Sequence, residues 1–139
     1  MNNVVGITDK PEITVHPMNE TKLEGDNVTF TCDVDGNPVP TISWTRDGSL
    51  VKNVNDNFTR ISFSYGKKQL TITNVSRTDS GEYRCVAKNR VGDETSNAAS
   101  LDVQCKYRSC CMLSIRFLVF TRKSVVIKLC EDKVFLQTL

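Results

Sequence analysis

Apolar and polar residues alternate with a period of two along several short stretches of the first hundred residues. In the clearest stretch, every second residue from Val28 to Val34 is apolar. Shorter examples are Ile13 and Val15, Ile42 and Trp44, Ile61 and Phe63, Leu70 and Ile72, Tyr83 to Ala87, and Ala99 to Val103. Alternation predicts half-buried β-strands, because successive side chains of a strand point to opposite faces. Helical periodicity is absent from every window of useful length, so the pattern predicts an all-β fold.

Turn-forming residues separate these stretches at short intervals. Residues 36–40 combine glycine, asparagine and two prolines, Asp47-Gly48 is a strong hairpin signal, and residues 65–68 and 89–92 each contain a glycine. Short strands with turn signals every 8–12 residues or so are typical of a β-sandwich. We therefore expect two packed sheets, with the apolar residues of each strand between them.

Four residues within this pattern follow the order Cys32, Trp44, Tyr83, Cys85. The order resembles that of the immunoglobulin superfamily and implies a Greek-key β-sandwich of two antiparallel sheets. The resemblance further implies a disulfide between Cys32 and Cys85, a tryptophan packed on it, and a tyrosine hydroxyl that fixes the corner before its strand. Strand alternation adds Leu70 to the expected structural core.

Finer details resemble the intermediate, or I-set, class of these domains. They are the Gly-x-Pro-x-Pro run at 36–40, the Ala-x-Asn-x-x-Gly run at 87–92, and the short middle of the domain. In similar domains an aspartate at the position of Asp79 pairs with an arginine at the position of Arg60, across the bottom of the sandwich. We expect that pair here; the alternative is that Arg60 is only solvated.

The resemblance covers residues 10–104, which we expect to form one I-set immunoglobulin-like domain. Residues 1–9 are then a linker or the end of a preceding domain, or an ordinary flexible terminus. Residues 105–139 hold no recognisable domain, and we expect this tail to be disordered or artefactual, with a truncated membrane anchor as the alternative. Its apolar run at 111–120 is interrupted by Arg116 and is shorter than the roughly 20 residues that a membrane helix needs.

The formal net charge of +2 is unevenly distributed. Residues 1–104 hold 11 basic and 14 acidic residues, net −3, whereas residues 105–139 hold 7 and 2, net +5. The basic charges of the tail are scattered among apolar residues, so we expect no nucleic-acid partner and no membrane span.

Residues that could support catalysis or metal binding are sparse. The sequence has a single histidine, His16, on a predicted edge strand, and no glycine-rich phosphate loop. Asp33 and Asp35 are interpreted as outward-facing or turn residues. The tail cysteines at 105, 110, 111 and 130 lack the Cys-x-x-Cys spacing of zinc sites. We therefore expect neither an enzyme nor a cofactor or metal.

Four asparagines lie in glycosylation acceptor sequences, namely Asn19, Asn27, Asn57 and Asn74. Together with the expected disulfide they favour an extracellular or cell-surface location; chance occurrence is the alternative. The first residues do not form a secretory signal, lacking a basic start and a long apolar run. A fragment of a longer exported protein reconciles the two observations.

The resemblance implies a non-catalytic extracellular protein–protein recognition module from a multi-domain cell-adhesion or matrix protein. The alternatives are a ligand-binding domain of a receptor tyrosine kinase ectodomain and a structural module of an intracellular muscle-type filament protein. Expected partners are other protein domains, in homophilic or heterophilic contacts or as neighbours in tandem. Candidate contact regions are the hairpin tip Asn89–Asp93 and the loop 36–40, and the sequence does not select between them.

Overall fold

The computed structural model describes residues 6–52 and 60–106 in full, and residues 125–130 and 133–138 by their secondary structure. The chain divides into two compact units, Met1–Gln104 and Cys105–Leu139. Apart from one 3₁₀ turn at Arg77–Asp79, the regular structure of the described residues is β. The prediction of an all-β fold is confirmed.

The first unit contains eleven strands in the described residues. They are β1 Asp9–Val15, β2 Glu20–Leu23, β3 Val28–Thr31, β4 Asp33–Asn37, β5 Thr41–Arg46, β6 Ser49–Leu50, β7 Ile61–Ser64, β8 Gln69–Ile72, β9 Gly81–Lys88, β10 Asp93–Thr95 and β11 Ala99–Gln104. One sheet has the order β2-β11-β9-β5-β6, with β10 also paired to β9. The other layer consists of β3-β8-β7 and the pair β1-β4. All pairings described in this unit are antiparallel except β2 with β11, which is parallel.

The alternating pattern identifies the inner face where a strand is continuous. Val28 and Phe30 on β3, and Ile42 and Trp44 on β5, are all buried. One assignment is wrong: the pattern places Val15 on the inner face with Ile13, but Val15 is 46% exposed whereas Ile13 is 6% exposed. The pairing of β1 with β4 shifts register between these two residues, and a one-residue slip turns the following side chain to the opposite face.

The core fills the space between the two layers. It joins alternating residues from both layers with Val75, which lies in the connection before the 3₁₀ turn. Its members are Ile13, Val28, Phe30, Cys32, Ile42, Trp44, Leu70, Ile72, Val75, Tyr83, Cys85, Ala87, Ala99, Leu101 and Val103. Ile61 and Phe63 pack against it while partly exposed.

The second unit contains a two-stranded antiparallel hairpin in its described residues. Strand β12, Val125–Cys130, pairs with β13, Lys133–Thr138, in a register that runs from Val125 opposite Thr138 to Cys130 opposite Lys133. The expectation that residues 105–139 hold no recognisable domain remains a prediction, and the apolar run at 111–120, Cys110 and Cys111 lie outside the described residues. Within the described residues, no helix is long and apolar enough to cross a membrane.

Candidate functional site

The two cysteines of the first unit form the predicted disulfide. Cys32 follows β3 and Cys85 lies within β9, so the bridge joins the two layers, with a Cα–Cα distance of 6.5 Å. Both residues are fully buried. The Cys32 amide donates to the Lys68 carbonyl oxygen at 2.8 Å, and the Cys85 amide donates to Ser96 Oγ at 3.0 Å. The prediction of a bridge between Cys32 and Cys85 is confirmed.

Aromatic side chains pack in the core beside this bridge. Trp44 is paired in register with Cys85, is fully buried, and donates from Nε1 to the Lys67 carbonyl oxygen at 2.7 Å. The Phe30 ring lies 6.3 Å from that of Trp44 and stacks on that of Tyr83 at 4.9 Å. Leu70, opposite Phe30 in the neighbouring strand, is also fully buried. Trp44 thus links the sheets through its ring and its indole nitrogen.

The tyrosine hydroxyl fixes the turn that precedes β9. Tyr83 donates from its hydroxyl to the Asp79 carbonyl oxygen at 2.7 Å, in a buried hydrogen bond. Burial raises the pKa of Tyr83 above its ordinary value, because it disfavours the phenolate. The Tyr83 hydroxyl therefore stays protonated, and remains a hydrogen-bond donor, at neutral pH.

Arg60 and Asp79, the expected ion pair, are brought together by the structure. Arg60 Nη1 and Nη2 donate to the two carboxylate oxygens at 2.6 and 3.2 Å, and the Ser76 amide donates to Oδ2 at 2.8 Å. Burial of Asp79 opposes its ionisation, yet the hydrogen bonds from Arg60 and Ser76 outweigh that cost and lower its pKa below the ordinary value. The same pairing raises the pKa of Arg60. The arrangement is structural, since the carboxylate is buried and saturated with donors.

A second aspartate explains the glycine of the Asp79-Ser80-Gly81 turn. Asp47, at the β5–β6 hairpin, accepts from the Glu82 amide through Oδ1 at 2.9 Å. Gly81 has φ +154°, and a Cβ there would lie 2.5 Å from Asp47 Oδ2. Only glycine fits beneath this carboxylate without displacing it. This contact was not predicted from the sequence, in which the Asp47-Gly48 pair indicates only the hairpin turn.

The two candidate contact regions form one surface at one end of the sandwich. Asn89 Nδ2 donates to the Pro38 carbonyl oxygen at 3.0 Å and to the Asp9 carbonyl oxygen at 2.7 Å. Its Oδ1 accepts from the amides of Val91 and Gly92 at 2.8 and 3.1 Å. One side chain therefore holds the loop 36–40, the hairpin tip 89–93 and β1 together. We call residues 36–40 and 89–93 the loop surface; the linking role of Asn89 was not predicted.

Of the four acceptor asparagines, Asn19, Asn27 and Asn74 are exposed, and Asn57 lies outside the described residues. Asn19 Oδ1 accepts from the Ser100 amide at 2.8 Å, beside β11. Asn27 Oδ1 accepts from the Asn74 amide at 3.0 Å, beside the ends of β3 and β8. In both cases the amide oxygen is held by the protein. Glycosylation of these residues remains a prediction.

The remaining chemical candidates have structural partners or are exposed. His16 is exposed, and its Nδ1 accepts from the Asn97 amide at 3.2 Å. Asp33 pairs with Lys68, whose hydrogen bond lowers the pKa of that carboxyl, and Asp35 is exposed. Among the residues that the structure describes, no group of three or more histidine, cysteine, aspartate or glutamate side chains could hold a metal ion.

A two-layer β-sandwich with an inter-sheet bridge, a tryptophan beside it and a tyrosine fixing the preceding turn is the architecture of immunoglobulin-like domains. The family model described as immunoglobulin domain matches residues 10–89. The chain belongs to the immunoglobulin superfamily.

Two relatives and two solved structures show where in the superfamily the likeness is strong. Neural cell adhesion molecule 1 of Rattus norvegicus is 40% identical over 80 residues, which cover 58% of this chain and 9% of that protein. Protein turtle of Drosophila melanogaster is 35% identical over 115 residues, covering 82% and 7% respectively. The chain thus spans less than a tenth of the length of these two relatives.

Among solved structures, the N-terminal Ig1-2 module of the Drosophila receptor protein tyrosine phosphatase DLAR superposes with a TM-score of 0.63 and 33% identity. The match covers 73% of this chain and 50% of that one. The titin M4 domain has a TM-score of 0.63 and 25% identity, with coverages of 71% and 100%. One unit of this size therefore corresponds to half of a two-domain module and to the whole of a single domain.

Proposed function

We propose that the first unit is a non-catalytic extracellular protein–protein recognition module of a multi-domain cell-adhesion or matrix protein. The observation that carries the proposal is the loop surface, in which one asparagine, Asn89, fixes two loops against each other. On it Val39 is 87% exposed and Val91 45% exposed. Aliphatic side chains on a fixed backbone offer a partner apolar contact without a large ordering cost.

Three observations support the extracellular location. The Cys32–Cys85 bridge belongs to an oxidising compartment, and three exposed asparagines lie in acceptor sequences. The likeness to neural cell adhesion molecule 1 and to protein turtle points the same way. The partner is another protein domain, a second copy of this one or a different one.

Two further candidates each have a specific support. The likeness to titin domains favours a structural module of an intracellular filament protein. The likeness to DLAR favours a ligand-binding domain of a receptor ectodomain, of which a receptor tyrosine kinase would be one kind. Thiol titration of the protein isolated from its own cells distinguishes the intracellular filament module from the two extracellular candidates, because a cytosolic location keeps Cys32 and Cys85 reduced.

The recognition proposal is tested with the full chain immobilised on beads. Beads carrying the wild-type chain are scored for aggregation with each other and for attachment to cells. We expect one of the two, and we expect Val39→Asp with Val91→Asp to reduce it at least about tenfold, since a charge at a buried contact costs more than about 1.4 kcal/mol. The matched control is Leu50→Asp, at a residue 55% exposed on β6, which should leave adhesion unchanged. Absence of both kinds of adhesion, or equal loss in the control, would contradict the proposal.

A further inference from the structure

The outer face of the β3-β8-β7 sheet carries only uncharged hydrogen-bonding side chains. Two rows cross the three strands in register, the first formed by Thr29, Thr71 and Ser62 and the second by Thr31, Gln69 and Ser64. Thr29 and Thr71 share a hydrogen bond between their hydroxyls at 2.9 Å, and Ser64 donates to Gln69 Oε1 at 3.1 Å. We call these six residues the hydroxyl face.

The other sheet presents a different outer surface. Glu82, Arg84 and Lys88 are exposed along β9, and Asp102 is exposed on β11, so that surface is charged with both signs. On the hydroxyl face each Ser and Thr hydroxyl both donates and accepts. A ligand matched to it is therefore neutral and itself rich in hydroxyl groups, which is the chemistry of a carbohydrate.

A carbohydrate acceptor lies at the end of this face. Asn27 directly precedes β3, and it is exposed like Thr29 and Thr31, whereas Val28 and Phe30 between them are buried. Its Oδ1 is held by the Asn74 amide at 3.0 Å, which fixes the side-chain amide and leaves Nδ2 as the atom for a glycosidic bond. Asn27-Val28-Thr29 is an acceptor sequence, so the required hydroxyl residue is itself part of the face.

We propose that Asn27 carries an N-linked glycan whose first sugars lie along the hydroxyl face. In the modification step Nδ2 forms a bond to the anomeric carbon of a lipid diphosphate-linked oligosaccharide, the lipid diphosphate leaves, and the nitrogen gives up one proton. The face extends about 10 Å across its three strands and about 13 Å from residue 27 to residue 31. The inference rests on the proposed extracellular location. It assigns the exposed side of this sheet to the protein's own glycan and leaves the loop surface free for a partner.

The test is a double-mutant cycle in the full chain, secreted from mammalian cells behind an added signal peptide that is removed on export. Peptide mapping by mass spectrometry first establishes which asparagines carry glycans. Melting temperatures are then measured for wild type, Thr71→Val, Asn27→Gln and the double variant. Thr71→Val keeps the branched shape and removes the hydroxyl. The same four proteins refolded from bacteria, without glycans, subtract any direct coupling between the two side chains.

We expect Thr71→Val to lower the melting temperature by about 4 °C more when the Asn27 glycan is present than when it is absent, the size of one lost hydrogen bond in a domain of this length. The bacterial proteins should show no such difference. Asn19→Gln is the glycan control, because Asn19 lies beside β11 of the other sheet, and Thr95→Val on β10 is the hydroxyl control. Asn19→Gln is combined with Thr71→Val, and Thr95→Val is combined with Asn27→Gln. Neither pair should show a coupling in melting temperature.

Three results would overturn the inference in distinguishable ways. An unmodified Asn27 beside a modified Asn19 would refute the site while leaving the extracellular location intact. A glycan on Asn27 without coupling to Thr71 would refute its placement on the face. A secreted protein without glycans at any asparagine would refute the inference and remove one support of the extracellular location.

Discussion

Replacing Asp79 by asparagine should destabilise the domain strongly while keeping its shape. The carboxylate accepts two hydrogen bonds from Arg60 and one from the Ser76 amide. The asparagine side chain would present an NH₂ group toward these donors, so at least one of them would lose its acceptor. Removing one partner of a buried charged pair costs about 3–5 kcal/mol. The Arg60 side chain is 38% exposed and its charge can reach water, which reduces the expected loss to about 2–4 kcal/mol.

The pH dependence supplies a second test with a definite sign. The pKa of Asp79 is lower in the folded chain than its ordinary value, so the folded state holds the carboxylate more strongly than the unfolded state does. The resulting stabilisation is complete above the unfolded pKa of about 4, and is lost as the pH falls through the folded value. The difference in unfolding free energy between wild type and Asp79→Asn should therefore be constant from about pH 7 to pH 5 and should shrink below about pH 4.

Urea unfolding followed by the fluorescence of Trp44, the only tryptophan of the chain, measures both quantities. Asp33→Asn is the matched control, because Asp33 also pairs with a cation but both side chains of that pair are nearly half exposed. It should cost much less than Asp79→Asn. If Asp79→Asn costs less than about 0.5 kcal/mol at neutral pH, or if its difference from wild type does not change between about pH 5 and pH 3, the assignment of Asp79 as a buried, saturated carboxylate is wrong.

Three further variants test other parts of the structure. Trp44→Ala should lower the free energy of unfolding by at least as much as loss of the disulfide, about 4 kcal/mol, in calorimetry of the oxidised protein. A fall in melting temperature of only a degree or two would contradict that expectation. Gly81→Ala should cost about 2 kcal/mol in urea unfolding, because its backbone conformation and the carboxylate above it exclude a Cβ, and wild-type stability would show that the hairpin moves aside. Asn89→Ala should raise amide hydrogen exchange at Val91 and Gly92 about tenfold, since each loses its acceptor; unchanged exchange would mean that Asn89 does not hold the loop surface.

Strand alternation predicted the inner faces well because the sandwich buries one side of each strand. The prediction failed where a ladder changes register. Val15 lies beyond a shift in the β1-β4 pairing, which no local pattern marks. Alternation also did not predict β10, which is separated from β11 by a break around Ser96; the Ser96 hydroxyl accepts from the Cys85 amide. A single serine in a polar stretch carries no signal of such a break.

The site residues also divide into those that the sequence pattern could assign and those that depend on the completed fold. Cys32, Cys85, Trp44 and Tyr83 could be assigned because their order along the chain resembles a known family. Asn89 could not, since its role depends on two carbonyl oxygens, one 51 and one 80 residues away in sequence. Hydrogen bonds of that kind depend on the completed topology, and turn propensity alone predicts only that an asparagine stands at the turn.

Side chains that bond to main-chain groups outside the strand ladders hold the loops of this domain in place. The Tyr83 hydroxyl, the Asp47 carboxylate and the Asn89 amide each satisfy main-chain groups where a strand ladder ends. Of these groups the Asp79 carbonyl oxygen is buried, and leaving a buried main-chain group unpaired is costly, so Tyr83 tolerates little change. Val39 and Val91 are exposed, and their side chains hold no main-chain group in place. Under the proposed recognition function, affinity for a partner can therefore change at the loop surface without altering the contacts that hold its backbone in place.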